Sequence, residues 1–259
     1  MKTSARRTPV RAPRSHAVAL GAQMGALRRS INLAVVALAF ALLLSFTLAS
    51  FPMRHASAET AGRPLRIVAF GDSLTAGYGL RPGQGFTDVL QMALKARGRN
   101  VEVVNAGVSG DTTAAGLGRL DWAIDDTADG VIVELGANDA LRGQPPEQAR
   151  ANLDAILSRL TARNLPVLLA GMRAPENWGE DYRRRFDAMF AELAARHDVL
   201  LYPFFLDGVA LDRSLNLDDG LHPNAKGIAK IVERILPSVE QLVARAESRR
   251  SAAGVAAQR

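Results

Sequence analysis

Five short apolar runs, each closing on a glycine, asparagine or proline and each followed by a stretch of helical spacing or a turn, constrain this 259-residue chain more than any other feature. The runs cover residues 65–70, 101–104, 130–135, 166–170 and 199–203. Their length and sharp ends are those of buried strands. Apolar residues recur at helical intervals over 86–95, 114–124, 145–163, 178–196 and from 225 to about 243. Gly98 marks a helix stop and Pro145-Pro146 a helix start, whereas Gly116 and Gly118 weaken the second helix. Strands and helices alternating at this spacing imply an α/β fold: a parallel sheet with helices on both faces and right-handed crossovers. The expectation is a three-layer α/β/α domain over 65–246, a polar linker at 59–64 and a disordered tail at 247–259. No internal repeat and no second-domain boundary interrupts the pattern.

The formal charge of +6 invites a polyanion-binding reading, but the charge is unevenly held. Residues 1–58 carry eight basic side chains and no acid, so residues 59–259 hold 24 bases against 26 acids, about −2. No nucleic-acid partner is expected for the folded part. The leader has basic residues, an apolar segment at 31–51 and Ala56-Ser57-Ala58 before the linker. These are the parts of a secretory signal peptide cleaved after Ala58. The apolar segment is also close to the roughly 20 residues of a membrane span, so an uncleaved anchor is the alternative. Either exports the rest, to the periplasm or beyond the cell, or to the periplasmic face of the inner membrane. Met24 is an alternative start, and Arg28-Arg29 lacks the context of a twin-arginine signal. With no cysteine in the chain, disulfides, a thiolate nucleophile and cysteine-ligated metals are excluded.

In an open α/β sheet, reacting groups gather beyond the C-terminal ends of the strands. Ser73, in the turn Gly71-Asp72-Ser73 after the first run, lies there, although alone it serves equally as a helix cap. Of four histidines, His16 and His55 are in the leader and His197 ends a helix, where the dipole favours it. His222 lies in a loop after the last strand, at the same edge as Ser73. Asp219 precedes it by three residues, with Gly220 between to turn the backbone. A carboxylate that near can accept from one ring nitrogen and leave the other facing a serine. Asp218 is the alternative orienter, and an Asp-Gly turn before a capping Asn224 is the purely structural account. An oxyanion needs preorganised donors. Gly110 and Asn138 can supply them, or act as a turn glycine and a helix cap. Leu80, Met172, Trp178, Phe204, Phe205 and Leu211 are candidates for an acyl pocket, or for ordinary packing.

Gly71-Asp72-Ser73-Leu74, Gly110, the block from Gly136 to Asp139 and the block from Asp219 to His222 together resemble the signature blocks of the GDSL/SGNH hydrolase superfamily. Val104-Asn105-Ala106, Ser109-Gly110-Asp111-Thr112, Val133-Glu134-Leu135-Gly136 and residues 218–224 extend the likeness to its periplasmic arylesterase, lysophospholipase and acyl-CoA thioesterase I group. The resemblance spans nearly all of 65–235. It implies a flavodoxin-like five-stranded sheet of order 2-1-3-4-5. It implies Ser73 as nucleophile, His222 as general base and Asp219 as its orienter. It also implies an oxyanion hole from the Ser73 and Gly110 amides and the Asn138 side chain. No metal or cofactor is implied. The activity implied is hydrolysis of aryl and short-to-medium acyl esters, with lysophospholipids and acyl thioesters as further substrates, through an acyl-enzyme. One departure is Ala137, where this group usually carries a second glycine; the added methyl bears on substrate range. Thr75 excludes the G-x-S-x-G elbow of α/β-hydrolases. Two other readings use the same residues: a carbohydrate O-deacetylase or acyltransferase, and a binding module whose glycine-rich turn cradles a phosphate. The latter leaves Asp219 and His222 unexplained.

Overall fold

β1 (Leu65–Gly71) is the strand on which the sheet is laid, pairing in parallel with β2 (Val101–Gly107) and with β3 (Gly130–Glu134). β4 (Val167–Ala170) and β5 (Leu200–Tyr202) continue beyond β3, all parallel, in the order β2-β1-β3-β4-β5. This is the expected architecture, seen in a computed structural model that describes residues 62–257. The signal-peptide and anchor expectations lie outside those residues. No helix among the described residues is long and apolar enough to cross a membrane.

β3 and β4 are buried along their whole length and β1 at all but Arg66, which is why their sequences read as unbroken apolar runs. Helices cover the two faces. α1 (Ser73–Ala76) is a single turn, and α2 (Phe86–Ala96) buries Phe86, Leu90 and Leu94. α3 (Thr113–Ala123) and the short α4 (Ala137–Leu141) follow β2 and β3. α5 (Pro146–Ala162) and α6 (Glu180–Arg196) bury stripes that include Leu153, Ile156 and Leu160, and Phe186, Met189 and Leu193. α7 (Ala225–Ala257) closes the fold. α2 lies against α7, while α3, α5 and α6 pack side by side. The glycine that weakens α3 has a reason: a Cβ on Gly116 would stand 2.5 Å from Leu135 Cδ1.

Three boundaries depart from expectation. β2 runs on to Gly107, where a Cβ would stand 2.4 Å from the Ala76 amide nitrogen, so α1 packs directly on the strand end. Trp178 belongs to a 3₁₀ turn (Glu176–Trp178), separated from α6 by Gly179 at φ 84°. The third is a correction: the tail expected to be disordered after 246 is helical to Ala257. Arg250 donates to Asp129 Oδ2 at 2.6 Å and to the carbonyls of Arg63 and Pro64. Arg63 makes two further bonds to the buried Asp129 carboxylate, at 2.7 and 3.1 Å. A buried carboxylate requires such partners, and the helix continues far enough to deliver one. The same contacts tie down the end of the linker.

Candidate active site

The strand order reverses direction between β1 and β3, and the crevice beyond their C-terminal ends is where an open α/β sheet takes ligands. Ser73 follows β1 and Asn138 follows β3 at that crevice. Gly71 is forced by the turn between strand and serine. A Cβ there would lie 2.2 Å from Thr75 Oγ1 and 2.6 Å from the Glu134 carbonyl oxygen. Asp72 then caps α1, its Oδ1 accepting the Leu74 amide at 3.0 Å.

His222 reaches Ser73 across 149 positions, its Nε2 standing 2.9 Å from Ser73 Oγ. The other ring nitrogen, Nδ1, is 2.6 Å from Asp219 Oδ2. Asp219, not Asp218, is therefore the carboxylate on the imidazole. Gly220 at φ 70° makes the turn between them. Asp219 Oδ1 accepts the amides of His222 at 3.0 Å and Leu221 at 2.9 Å. The His222 amide above all, with the imidazole, pulls the Asp219 carboxyl down to about 2. The loop is anchored by Asn224, whose side-chain amide donates to the Ser214 and Asn216 carbonyls while its oxygen caps the start of α7. His197, by contrast, ends α6 and lies 2.7 Å from Asp154 Oδ1, so its ring is committed elsewhere.

The three expected oxyanion donors lie in the elements following β1, β2 and β3. Neither the Ser73 nor the Gly110 amide donates to another group among the described residues. Gly110 sits at φ 86°, with its carbonyl held by Arg142 at 2.9 Å. The Asn138 amide gives one hydrogen to Asp72 Oδ2 at 3.1 Å, leaving the other for a substrate. Ala137 begins α4 and is half-buried against the core.

Several supporting residues escaped the sequence reading. Arg119 binds Asp111 Oδ2 at 2.6 Å and the carbonyls of Ala106 and Gly71 at 2.9 Å, lying over the Phe70 ring. It joins the Gly110 loop to the strand end below Ser73. Asp139 accepts the Thr113 amide and hydroxyl at 2.8 and 2.6 Å, joining α4 to α3. Burial raises its carboxyl. Tyr78 covers one face of His222. Their signal in sequence was at most a charged or polar residue inside an apolar context.

The acyl-pocket candidates scatter. Trp178 is 41% exposed and packs against Gly143, beside Tyr182. Leu80 is half-buried against the core, and Phe204 lies under the Arg173 guanidinium. Met172 lines a cleft with Arg173, Asp187 and Pro203, a cleft that none of Ser73, His222 and Asp219 borders. Two expectations are corrected. Phe205 is wholly buried edge-on to Phe86, so it is core rather than pocket. Leu211 is 93% exposed on a left-handed backbone and forms no wall.

Residues 69–230 match the GDSL-like Lipase/Acylhydrolase family. The esterase TesA of Pseudomonas aeruginosa is 36% identical over 205 residues, covering 78% of this chain and 99% of TesA. Thioesterase 1/protease 1/lysophospholipase L1 of Escherichia coli K12 is 36% identical over 191 residues, covering 73% of this chain and 88% of that protein. The crystal structure of AlinE4, an SGNH-hydrolase family esterase, is 46% identical and superposes with a TM-score of 0.60 over 70% of this chain and 97% of AlinE4. With a family match over most of the folded domain and esterases among its relatives, the chain belongs to the GDSL-like lipase/acylhydrolase family and is a serine ester hydrolase.

Proposed function

We propose that Ser73 is the nucleophile of this hydrolase, His222 its general base and acid, and Asp219 the residue that orients His222. The observation carrying this is the continuous hydrogen-bonded line from Asp219 Oδ2 through the imidazole to Ser73 Oγ, at 2.6 and 2.9 Å. With Nδ1–H committed to the carboxylate, Nε2 is the free base. It takes the Ser73 proton as Oγ bonds to the acyl carbon, and the carbonyl becomes an oxyanion. The Ser73 and Gly110 amides and the Asn138 side chain stabilise that charge. His222 then gives the proton to the departing alkoxide or thiolate, leaving acyl-Ser73. In deacylation Nε2 takes a proton from water, the hydroxide oxygen bonds to the acyl carbon, and the proton returns to Ser73 as the acid leaves.

The proposed substrates are small-molecule carboxylic esters, with acyl thioesters and lysophospholipids as the finer classes. The likeness to a thioesterase/lysophospholipase supports the extension. Trp178, Leu80 and Phe204 remain the apolar candidates for the acyl side. The test is a panel of aryl esters, acyl thioesters and lysophospholipids of graded chain length, run with wild type and Ser73→Ala. Turnover in the wild type and none in Ser73→Ala is expected; equal turnover in both removes Ser73 from the chemistry.

Export is proposed from the leader, by cleavage after Ala58 or by retention of residues 31–51 as a tether. Cell fractionation with N-terminal sequencing distinguishes the two, and an uncleaved protein in the cytosol contradicts both.

A further inference from the structure

Behind Ser73 two carboxyl groups are buried together without a cation. Asp72 and Glu134 are both inaccessible to solvent, and neither meets a lysine or arginine among the described residues. Glu134 Oε2 accepts the Thr75 hydroxyl at 2.8 Å and lies 3.4 Å from the Asp72 amide. Glu134 Oε1 is buried and has no hydrogen-bond donor. An ionised oxygen there would be both desolvated and unpaired, which is among the least favourable states a buried group can take. A protonated carboxyl is itself a donor, and Asp72, whose amide faces Glu134 Oε2 and whose carboxyl takes Glu134 as a side-chain hydrogen-bond partner, is an acceptor for it. Asp72 in turn accepts from Leu74 with Oδ1 and from Asn138 with Oδ2.

We infer that Glu134 and Asp72 form a positioning pair joined by one shared proton, which aims the Asn138 amide at the developing oxyanion. The inference rests on the catalytic reading of Ser73 and Asn138. Two carboxyl groups this close cannot both ionise in a dry site, so one holds the proton for the other. Burial and then the charge of Asp72 raise Glu134 well above the usual range, so Glu134 keeps the proton. Asp72, raised by burial to about 6, is held in check by the Leu74 amide, the Asn138 amide and Glu134. Arg119 approaches only as far as the Gly71 carbonyl. With two N–H donors on the Asp72 oxygens and none on Glu134 Oε1, the negative charge of the pair rests on the oxygens that hold Asn138. An Asn138 amide fixed in this way is preorganised before substrate arrives, which is the condition for a donor to lower a barrier. Glu134 and Asp72 touch neither substrate nor reacting atoms; they act through Asn138.

The experiment measures kcat, KM and melting temperature with an aryl acetate for wild type, Ser73→Ala, Asp72→Asn, Glu134→Leu and Glu134→Gln. Asp72→Asn keeps the shape but cannot accept from both Leu74 and Asn138. It is expected to lower kcat about tenfold or more while KM stays within about twofold, the mark of an interaction made in the transition state. Glu134→Leu removes the donor to Asp72 and is expected to lower kcat in the same way. Glu134→Gln returns a donor and is expected to recover most of that loss. Wild-type kcat in a folded Asp72→Asn, or equal losses in the two Glu134 variants, overturns the pair. Should Glu134→Leu fail to fold, the kcat-against-KM split in Asp72→Asn decides. Full hydrolysis by Ser73→Ala removes the catalytic reading beneath it, whereas an inactive Ser73→Ala with an unaffected Asp72→Asn removes the pair alone.

Discussion

The ring of Tyr78 lies against the imidazole of His222, with centroids 4.5 Å apart and planes tilted by 37°. Tyr78 is half exposed and lies in the turn just after α1, so the wall that restrains the base stands five residues from Ser73. Such aromatic pairs contribute about 0.5–1.5 kcal/mol beyond burial, and a ring face also favours the imidazolium formed when His222 takes the proton. Tyr78→Ala is expected to lower kcat by about two- to tenfold, and Tyr78→Phe, which keeps the ring, to stay near wild type. Steady-state kinetics on one aryl ester checks this; wild-type kcat in Tyr78→Ala contradicts it.

The triad and the oxyanion donor should separate by magnitude. Ser73→Ala and His222→Ala are each expected to lose at least about a thousandfold in kcat. Asn138→Ala loses one donor of three and is expected to lose on the order of a hundredfold. Stopped assays with long incubation measure all three, and a loss in Asn138→Ala equal to that in Ser73→Ala would contradict the oxyanion assignment.

The buried acids also set a pH dependence of stability. Asp72, raised to about 6, and Glu134, raised well above the usual carboxylate range, bind protons more tightly folded than unfolded. Their contribution to stability is full below the unfolded carboxylate range and is lost as pH rises through about 6 and beyond. Asp219, lowered to about 2, and Asp129, lowered by Arg63 and Arg250 despite its desolvation, act oppositely: their contribution is present above about pH 4 and lost toward pH 2. Asp219 is largely exposed, so its part is small. A melting temperature that falls as pH rises from about 4 through 6 is expected in wild type, with a shallower fall in Glu134→Gln. Calorimetry across that range tests it, and identical slopes would show that Glu134 does not hold its proton.

The C-terminal end of α7 is predicted to matter for stability and not for chemistry. Arg250→Ala leaves Asp129 with Arg63 and the Arg66 amide, a partial break of a buried cluster expected to cost about 1–2 kcal/mol. For a domain of this size that is roughly 2–8 °C in melting temperature. Asp129 immediately precedes β3, at the opposite rim from Ser73, so kcat at 25 °C should match wild type. An unchanged melting temperature contradicts the clamp.

Much of this molecule was legible in the primary structure because its signals are local. Apolar runs bounded by Gly71 or Gly136 mark strands whatever they pair with, and Asp219-Gly220-Leu221-His222 is compact enough for its internal hydrogen bonds to follow from spacing. The tail at 247–257 misled because its apolar stripe thins out, while the contact that orders it, Arg250 to Asp129, joins positions 121 residues apart. Phe205 and Leu211 misled for a related reason. An apolar side chain after a strand can face core, cleft or solvent, and only packing chooses among them.

By itself the sequence determined the strand–helix alternation, the serine and histidine brought to one sheet edge with two aspartates beside the histidine, and the two glycines the turns at Ser73 and His222 require. The tertiary structure alone decided that Asp72 grips Asn138, that Glu134 lies against Asp72 without a cation, that Arg119 braces the Gly110 loop and that Tyr78 rests on His222. Each of these relations joins separate elements, and its chemistry depends on burial and distance, which the order of residues along a strand or a turn does not contain.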